Sequence, residues 1–188
     1  MRRHDVAALA VVALICATQA DAQSPYGIGG VATPPEIAGW NIDVGRDGSN
    51  LPAGSGSVSH GREVFAQQCA ACHGEKGEGG VGDRLVGGQG TLATKRPVRT
   101  VGSYWPYAPT LFDYIRRAMP QNAPESLSND DIYAVSAYIL NLNGLLPAAA
   151  TLDAKTLPTI KMPNRNKFVG DPRPDVKNLE CMRRCGGM

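Results

Sequence analysis

Several familiar function classes are excluded by what this chain lacks. It carries no excess of either charge: 19 Lys and Arg stand against 17 Asp and Glu, a formal balance of +2. It has no basic stripe of the kind nucleic acid requires. No Gly-Lys-Ser/Thr follows any of its glycine clusters, which removes a phosphate-cradling loop. There is no second Cys-x-x-Cys and no His-x-x-x-His, so a zinc tetrahedron cannot be completed. Its main apolar run, Val6 to Cys16, falls well short of the roughly 20 residues that a spanning helix needs. Aromatics make up only 6% of the 188 residues, and no internal repeat is present.

Among the five cysteines and three histidines, one cluster stands out: Cys69-Ala70-Ala71-Cys72-His73. Two thiols three positions apart, followed at once by an imidazole, form the attachment pattern of a c-type haem. The thiols can add to the two vinyl groups of the porphyrin, and the adjacent histidine is then held beneath the ring with a nitrogen toward iron. A redox disulfide or half of a zinc site would need only the Cys-x-x-Cys, without the histidine. A single covalent haem c is therefore expected on Cys69, Cys72 and His73.

The start of the chain reads as a targeting segment. Arg2 and Arg3 precede the apolar run, and Ala20-Asp21-Ala22 supplies the small-x-small pattern of a cleavage site. Cleavage near Ala22 and a periplasmic location without stable membrane insertion are expected. A retained anchor is the weaker alternative, and a lipidated Cys16 weaker still, because the bulky Ile15 precedes it. Cleavage removes Arg2, Arg3, Asp5 and Asp21, leaving the charge balance unchanged. It also removes Cys16, and leaves Cys181 and Cys185 beside the two haem thiols. In an oxidising compartment these two are candidates for a local disulfide, with an intermolecular bridge or a reactive pair as rivals.

Beyond the signal, residues 1–22, three zones follow. Residues 23–56 are rich in Gly, Pro and Ser, with no sustained helical period. Residues 57–144 hold the helix signals, and residues 145–188 return to a Pro-rich, extended composition. The flanks still contain Trp40, Ile42, Leu157, Ile160, Phe168 and Val169, which would prefer a surface to water, so they are expected to wrap the core or a partner. In the middle zone a first helix is predicted from Ser57 or Ser59 to about Cys69, with Gly61, Phe65 and Cys69 on one face. A glycine-dense loop follows His73, and one of its carbonyls is expected to take the His73 Nδ1 proton. A second helix, Pro109 to Ala118, is stopped by Met119-Pro120. A third runs from a Ser128 cap through Ile132, Val135, Ile139 and Leu142 to Gly144, with Val135 and Tyr138 as candidates to cross the first helix.

Iron needs a sixth ligand for low-spin electron transfer, and a thioether favours the ferrous state. Met119, thrown into a loop by the helix end, is the first candidate. Met162, also before a proline, is the rival, with Met182, Met188 and His60 behind them. Core filling is the bland alternative for Met119. Trp105, in Tyr104-Trp105-Pro106-Tyr107, is a candidate for the haem edge, and Arg99 a weaker one for the propionates.

The pattern Gly61-x-x-x-Phe65-x-x-x-Cys69-x-x-Cys72-His73, then Met119-Pro120, then Asp131 to Leu142, resembles the single-haem class I cytochromes c. The resemblance implies an all-α fold around haem, here with loop-rich wrapping segments at both ends. One departure is that no proline occurs between Gly82 and Gly90, in the loop that supports the haem histidine. A narrower resemblance rests on Thr33–Ile37, Thr100–Ala108, Leu111–Pro120, Met162–Arg165 and Asp171–Val176. These segments are similar to the cytochrome subunit of the Sox sulfane dehydrogenase and to single-haem subunits of periplasmic molybdenum sulfite dehydrogenases. That likeness implies an electron-transfer subunit, not the catalytic one. It would take electrons from a molybdenum catalytic subunit and pass them to a downstream cytochrome or oxidase. A general soluble carrier is the alternative, and a haem peroxidase, which needs an open distal position, is a third class.

Overall fold

The computed structural model describes residues 29–172. The proposed signal, Cys16, the Cys181 and Cys185 pair, Met182 and Met188 lie outside the described residues. The chain divides into two compact units at Asn41/Ile42.

In the first unit the described part holds one short helix, α1 (Pro34–Trp40). Thr33 and Glu36 form its capping box: the Glu36 carboxylate accepts from the Thr33 backbone N–H at 2.7 Å and from its hydroxyl at 2.8 Å. No residue of α1 is buried, and Trp40 is 87% exposed. This helix was not predicted from the sequence, which shows no sustained helical period in residues 23–56.

The second unit is helical: α2 (Val58–Gln68), α3 (Ala70–His73), α4 (Ala108–Ala118) and α5 (Asn129–Leu142). Each long helix begins where its cap allows. Ser57 Oγ accepts the His60 N–H, Pro109 sits in the first turn of α4, and Ser128 Oγ accepts the Asp131 N–H. The all-α expectation needs one correction. Ser55–Ser57 (β1) pairs antiparallel with Thr151–Asp153 (β2), Gly56 opposite Leu152. Three-residue strands leave almost no periodic signal.

The core forms where α2 crosses α5. A Cβ on Gly61 would overlap the carbonyl oxygen of Ala134 and come within 2.9 Å of Tyr138 Cβ. Glycine at this point lets the two backbones touch. The Ala134 backbone is the point of closest approach to Gly61, and the Phe65 and Tyr138 rings meet edge to face one turn on, centroids 5.4 Å apart. Fully buried Phe112, Ile132, Tyr133, Val135 and Leu140 complete the centre.

Segments outside residues 57–144 belong to this core. Arg116 donates to the Ile42 carbonyl at 2.9 Å, and buried Asp113 accepts the Val44 N–H at 2.8 Å while pairing with Arg117. Asp130 accepts the Ser55 N–H, and the Tyr133 hydroxyl donates to the Pro52 carbonyl. After α5, Leu152, Leu157 and Met162 are all buried, and Asn164 donates to the Tyr104 carbonyl at 2.6 Å. Phe168 stays half exposed but stands edge-on to Tyr104.

Two outcomes follow from these contacts. Gly61→Ala should destabilise the fold by about 2–3 kcal/mol or prevent folding, whereas Gly170→Ala, which meets nothing within 4 Å, should not; urea unfolding of both variants checks this. The Ser128 hydroxyl, and after it His60, hold the Asp131 carboxyl below the usual carboxylate range. A carboxyl more acidic in the fold than in the unfolded chain stabilises fully above about pH 4, and that stability is lost as pH falls through the lower folded value. Asp131→Asn should therefore cost about 1 kcal/mol at pH 7 and progressively less as the medium is acidified. Equal costs at neutral and acid pH would contradict the assignment.

Candidate haem site

Helix α2 ends at Gln68 and Cys69 takes a non-helical conformation (φ −125°, ψ −38°), so the chain bends before one further turn, α3. That turn carries Cys72 and His73. Both thiols are free, Cys69 half-buried and Cys72 exposed. Burial, with the neighbouring Cys72 adding to it, pushes the Cys69 thiol up to about 11. A redox-active Cys-x-x-Cys lowers a thiol pKa instead, so this environment does not suit dithiol exchange. Among the described residues, no three His, Cys, Asp or Glu side chains converge to hold a metal ion.

The imidazole is fixed from behind. His73 Nδ1 lies 2.6 Å from the backbone carbonyl of Asp83, which identifies the loop acceptor that sequence reasoning left open. This bond assigns the proton to Nδ1 and leaves Nε2 as the ligating nitrogen. The loop folds tightly around the ring. The Gly79 N–H donates to the His73 carbonyl at 2.7 Å and the Gly82 N–H to the Cys72 carbonyl at 2.9 Å. A Cβ on Gly82 would stand 3.0 Å from the ring Cε1 and 3.1 Å from Nδ1. Two free thiols on adjacent turns and an imidazole with one nitrogen committed and the other available form a donor set that fits haem c. Cys69 and Cys72 would carry the thioethers and His73 would ligate iron.

The remaining candidates fall at distinct places. Met119 is the C-terminal cap of α4, half-buried against the rim of the apolar core, in the extended conformation that Pro120 imposes. Met162 is 3% exposed and is part of the core itself. His60 Nε2 is engaged by Asp131 Oδ1 at 2.8 Å, and its Nδ1 lies 3.8 Å from Glu63 Oε2. Trp105 is half-buried and stands edge-on to Tyr114 of α4, centroids 5.7 Å apart. The Arg99 guanidinium lies over the Tyr104 ring, 5.6 Å from its centroid. Asn143, just beyond α5, escaped the sequence reading. Its amide bonds the Leu85 carbonyl and the Gly87 N–H in the loop that follows Asp83. A polar residue after a helix reads as a solvated cap, and only its 8% exposure reveals another role.

Comparison with known proteins agrees with this geometry. The family profile for cytochrome c oxidase, cbb3-type, subunit III matches residues 56–139. That span runs from β1 through most of α5. No curated protein matches. Among solved structures, a chain in the crystal structure of the sulfane dehydrogenase SoxCD from Paracoccus pantotrophus is 40% identical. The match covers 86% of this chain and 83% of that one, with a TM-score of 0.74. It therefore reaches well beyond the region that the family profile recognises. The thiol pair, the anchored imidazole, the helical core and this likeness lead to one conclusion: the chain belongs to the class I c-type cytochromes and resembles the cytochrome subunit of the Sox sulfane dehydrogenase.

Proposed function

We propose that this protein is a periplasmic one-electron carrier, the electron-accepting subunit of a molybdenum sulfite or sulfane dehydrogenase in sulfur-compound oxidation. One covalent haem c, held by Cys69, Cys72 and His73, would supply the one-electron chemistry. The observation that carries the reading is the 40% identity over 86% of the chain, flanks included, combined with the His73–Asp83 anchor at the motif. In this reading the polypeptide holds the group and sets its potential. His73 donates from one side with its ring orientation fixed. Met119, at a helix end that packing on the core keeps in place, would be the second residue to hold the iron. Trp105 borders the haem edge. The N-terminal signal would be removed near Ala22, and Cys181 would pair with Cys185. No helix among the described residues is long and apolar enough to cross a membrane. The exposed Val31, with Ile37 and Trp40 of the capped α1, suits a segment that meets a catalytic subunit.

A second reading, a soluble carrier serving several partners, draws on one observation. From Arg84 to Phe112 the chain holds Arg84, Lys95, Arg96 and Arg99 and no carboxylate, and all four cations are exposed. Such a surface favours transient, salt-sensitive docking on acidic proteins.

Two measurements test these assignments. Met119→Ala should abolish the weak sulfur-to-iron absorption band at the red end of the ferric spectrum and lower the reduction potential. Loss of the same band in Met162→Ala and not in Met119→Ala would transfer the role to Met162. Co-expressed with a molybdenum catalytic subunit of the sulfane dehydrogenase type, the protein should co-elute in fixed stoichiometry at high salt and be reduced on addition of sulfite or a sulfane donor. Association that disappears with salt, together with reduction by unrelated donors, would favour the general carrier.

A further inference from the structure

The loop that orients the haem histidine has no proline to stiffen it between Gly82 and Gly90, yet its Asp83 carbonyl must stay fixed for the 2.6 Å bond to His73 to persist. On one side the fixing is local: the Gly82 N–H is tied to the Cys72 carbonyl. On the other side the Leu85 and Val86 N–H groups donate to the Gly77 carbonyl at 2.9 and 3.1 Å, and a distant part of the chain adds a second hold. Asn143 Nδ2 donates to the Leu85 carbonyl at 3.2 Å and to the Ile139 carbonyl at 2.9 Å. Asn143 Oδ1 accepts the Gly87 N–H at 3.0 Å and Gln89 Nε2 at 3.4 Å. Both amide hydrogens and both lone pairs are thus used, and the opposite amide orientation would set donor against donor at Gly87. The space around the amide is equally committed. A Cβ on Gly102 would overlap Asn143 Oδ1, so a third segment must present bare backbone there. Thr100 closes the far side, donating to the Gly87 carbonyl at 2.5 Å.

We propose that Asn143 is a positioning residue for the haem iron. Its buried amide locks residues 85–87 to the end of α5, holds the Asp83 carbonyl against His73 Nδ1–H and thereby sets the donor strength of the imidazole. The inference rests on the haem reading above. A well-held Nδ1–H···O=C bond makes the imidazole a stronger donor and favours ferric iron. Loosening it should favour ferrous iron.

The test uses the mature holoprotein. Asn143→Leu removes all four side-chain bonds, and Asn143→Asp keeps the acceptor for Gly87 while losing both donations. Asn141→Leu is the control: Asn141 lies two residues earlier, in the last turn of α5, and donates to the Leu146 carbonyl at 2.8 Å, outside the haem loop. At fixed ambient potential, Asn143→Leu should raise the ferrous-to-ferric ratio about threefold or more, where tenfold corresponds to 59 mV for one electron. The His73 Nδ1–H resonance of the ferrous protein should shift, and its exchange with solvent should quicken. Asn143→Asp should move both in the same direction by less, and it decides alone if the Leu variant does not mature. Asn141→Leu should lose stability without either change. Asn143 variants that carry haem with wild-type potential and an unmoved Nδ1–H resonance would overturn the proposal. A wild-type protein without covalent haem would instead overturn the haem reading itself.

Discussion

The backbone contact between Gly61 of α2 and Ala134 of α5 is the constraint on which the rest depends. Side chains cannot separate two helices whose backbones touch, so the crossing is set by atoms that every substitution at Gly61 would displace. Phe65 and Tyr138 then fill the next turn. The crossing fixes both ends of the candidate site. Helix α2 runs directly into Cys69 and the Cys72-His73 turn. Helix α5 is capped by Asn143, whose amide reaches the loop behind the imidazole. Motif and support are thus carried on the two helices that the fold holds most tightly.

The energetics of the site are those of a polar network built into an apolar core. Each Asn143 bond is worth little on its own, about 1 kcal/mol net. A buried amide left half-satisfied costs more than that, so the network forms as a unit. The outcome that matters here is orientation rather than stability. A histidine that can rotate is a variable donor, and a carrier with a variable donor has no defined potential. The raised pKa of the Cys69 thiol is consistent with this environment, because the half-buried position that disfavours a thiolate suits a sulfur bound in a thioether.

Much of this was legible in the chain, for identifiable reasons. The helix limits were written in capping residues: Ser57 and Ser128 at the starts, Pro109 in a first turn, Pro120 and Gly144 beyond the ends. The Gly61, Phe65 and Cys69 spacing gave the buried face of α2. The haem motif is local in sequence and needs no fold to be recognised. The missed features have no such signature. The Asp83 carbonyl is backbone, and any residue at that position offers the same acceptor. Helix α1 buries nothing, so no apolar period marks it. The β1–β2 ladder joins Ser55–Ser57 to residues nearly a hundred positions away through main-chain bonds. Asn143 acts through burial that only the tertiary structure creates.

A single covalent haem, held by Cys69 and Cys72 with His73 on iron, is the central claim, and intact mass with a haemochrome spectrum tests it most directly. Made in a host competent for cytochrome c maturation, the mature protein should be red, one haem heavier than its polypeptide, and should keep the haem after denaturation in acid and organic solvent. A colourless protein at bare polypeptide mass, or haem that extracts freely, would contradict it.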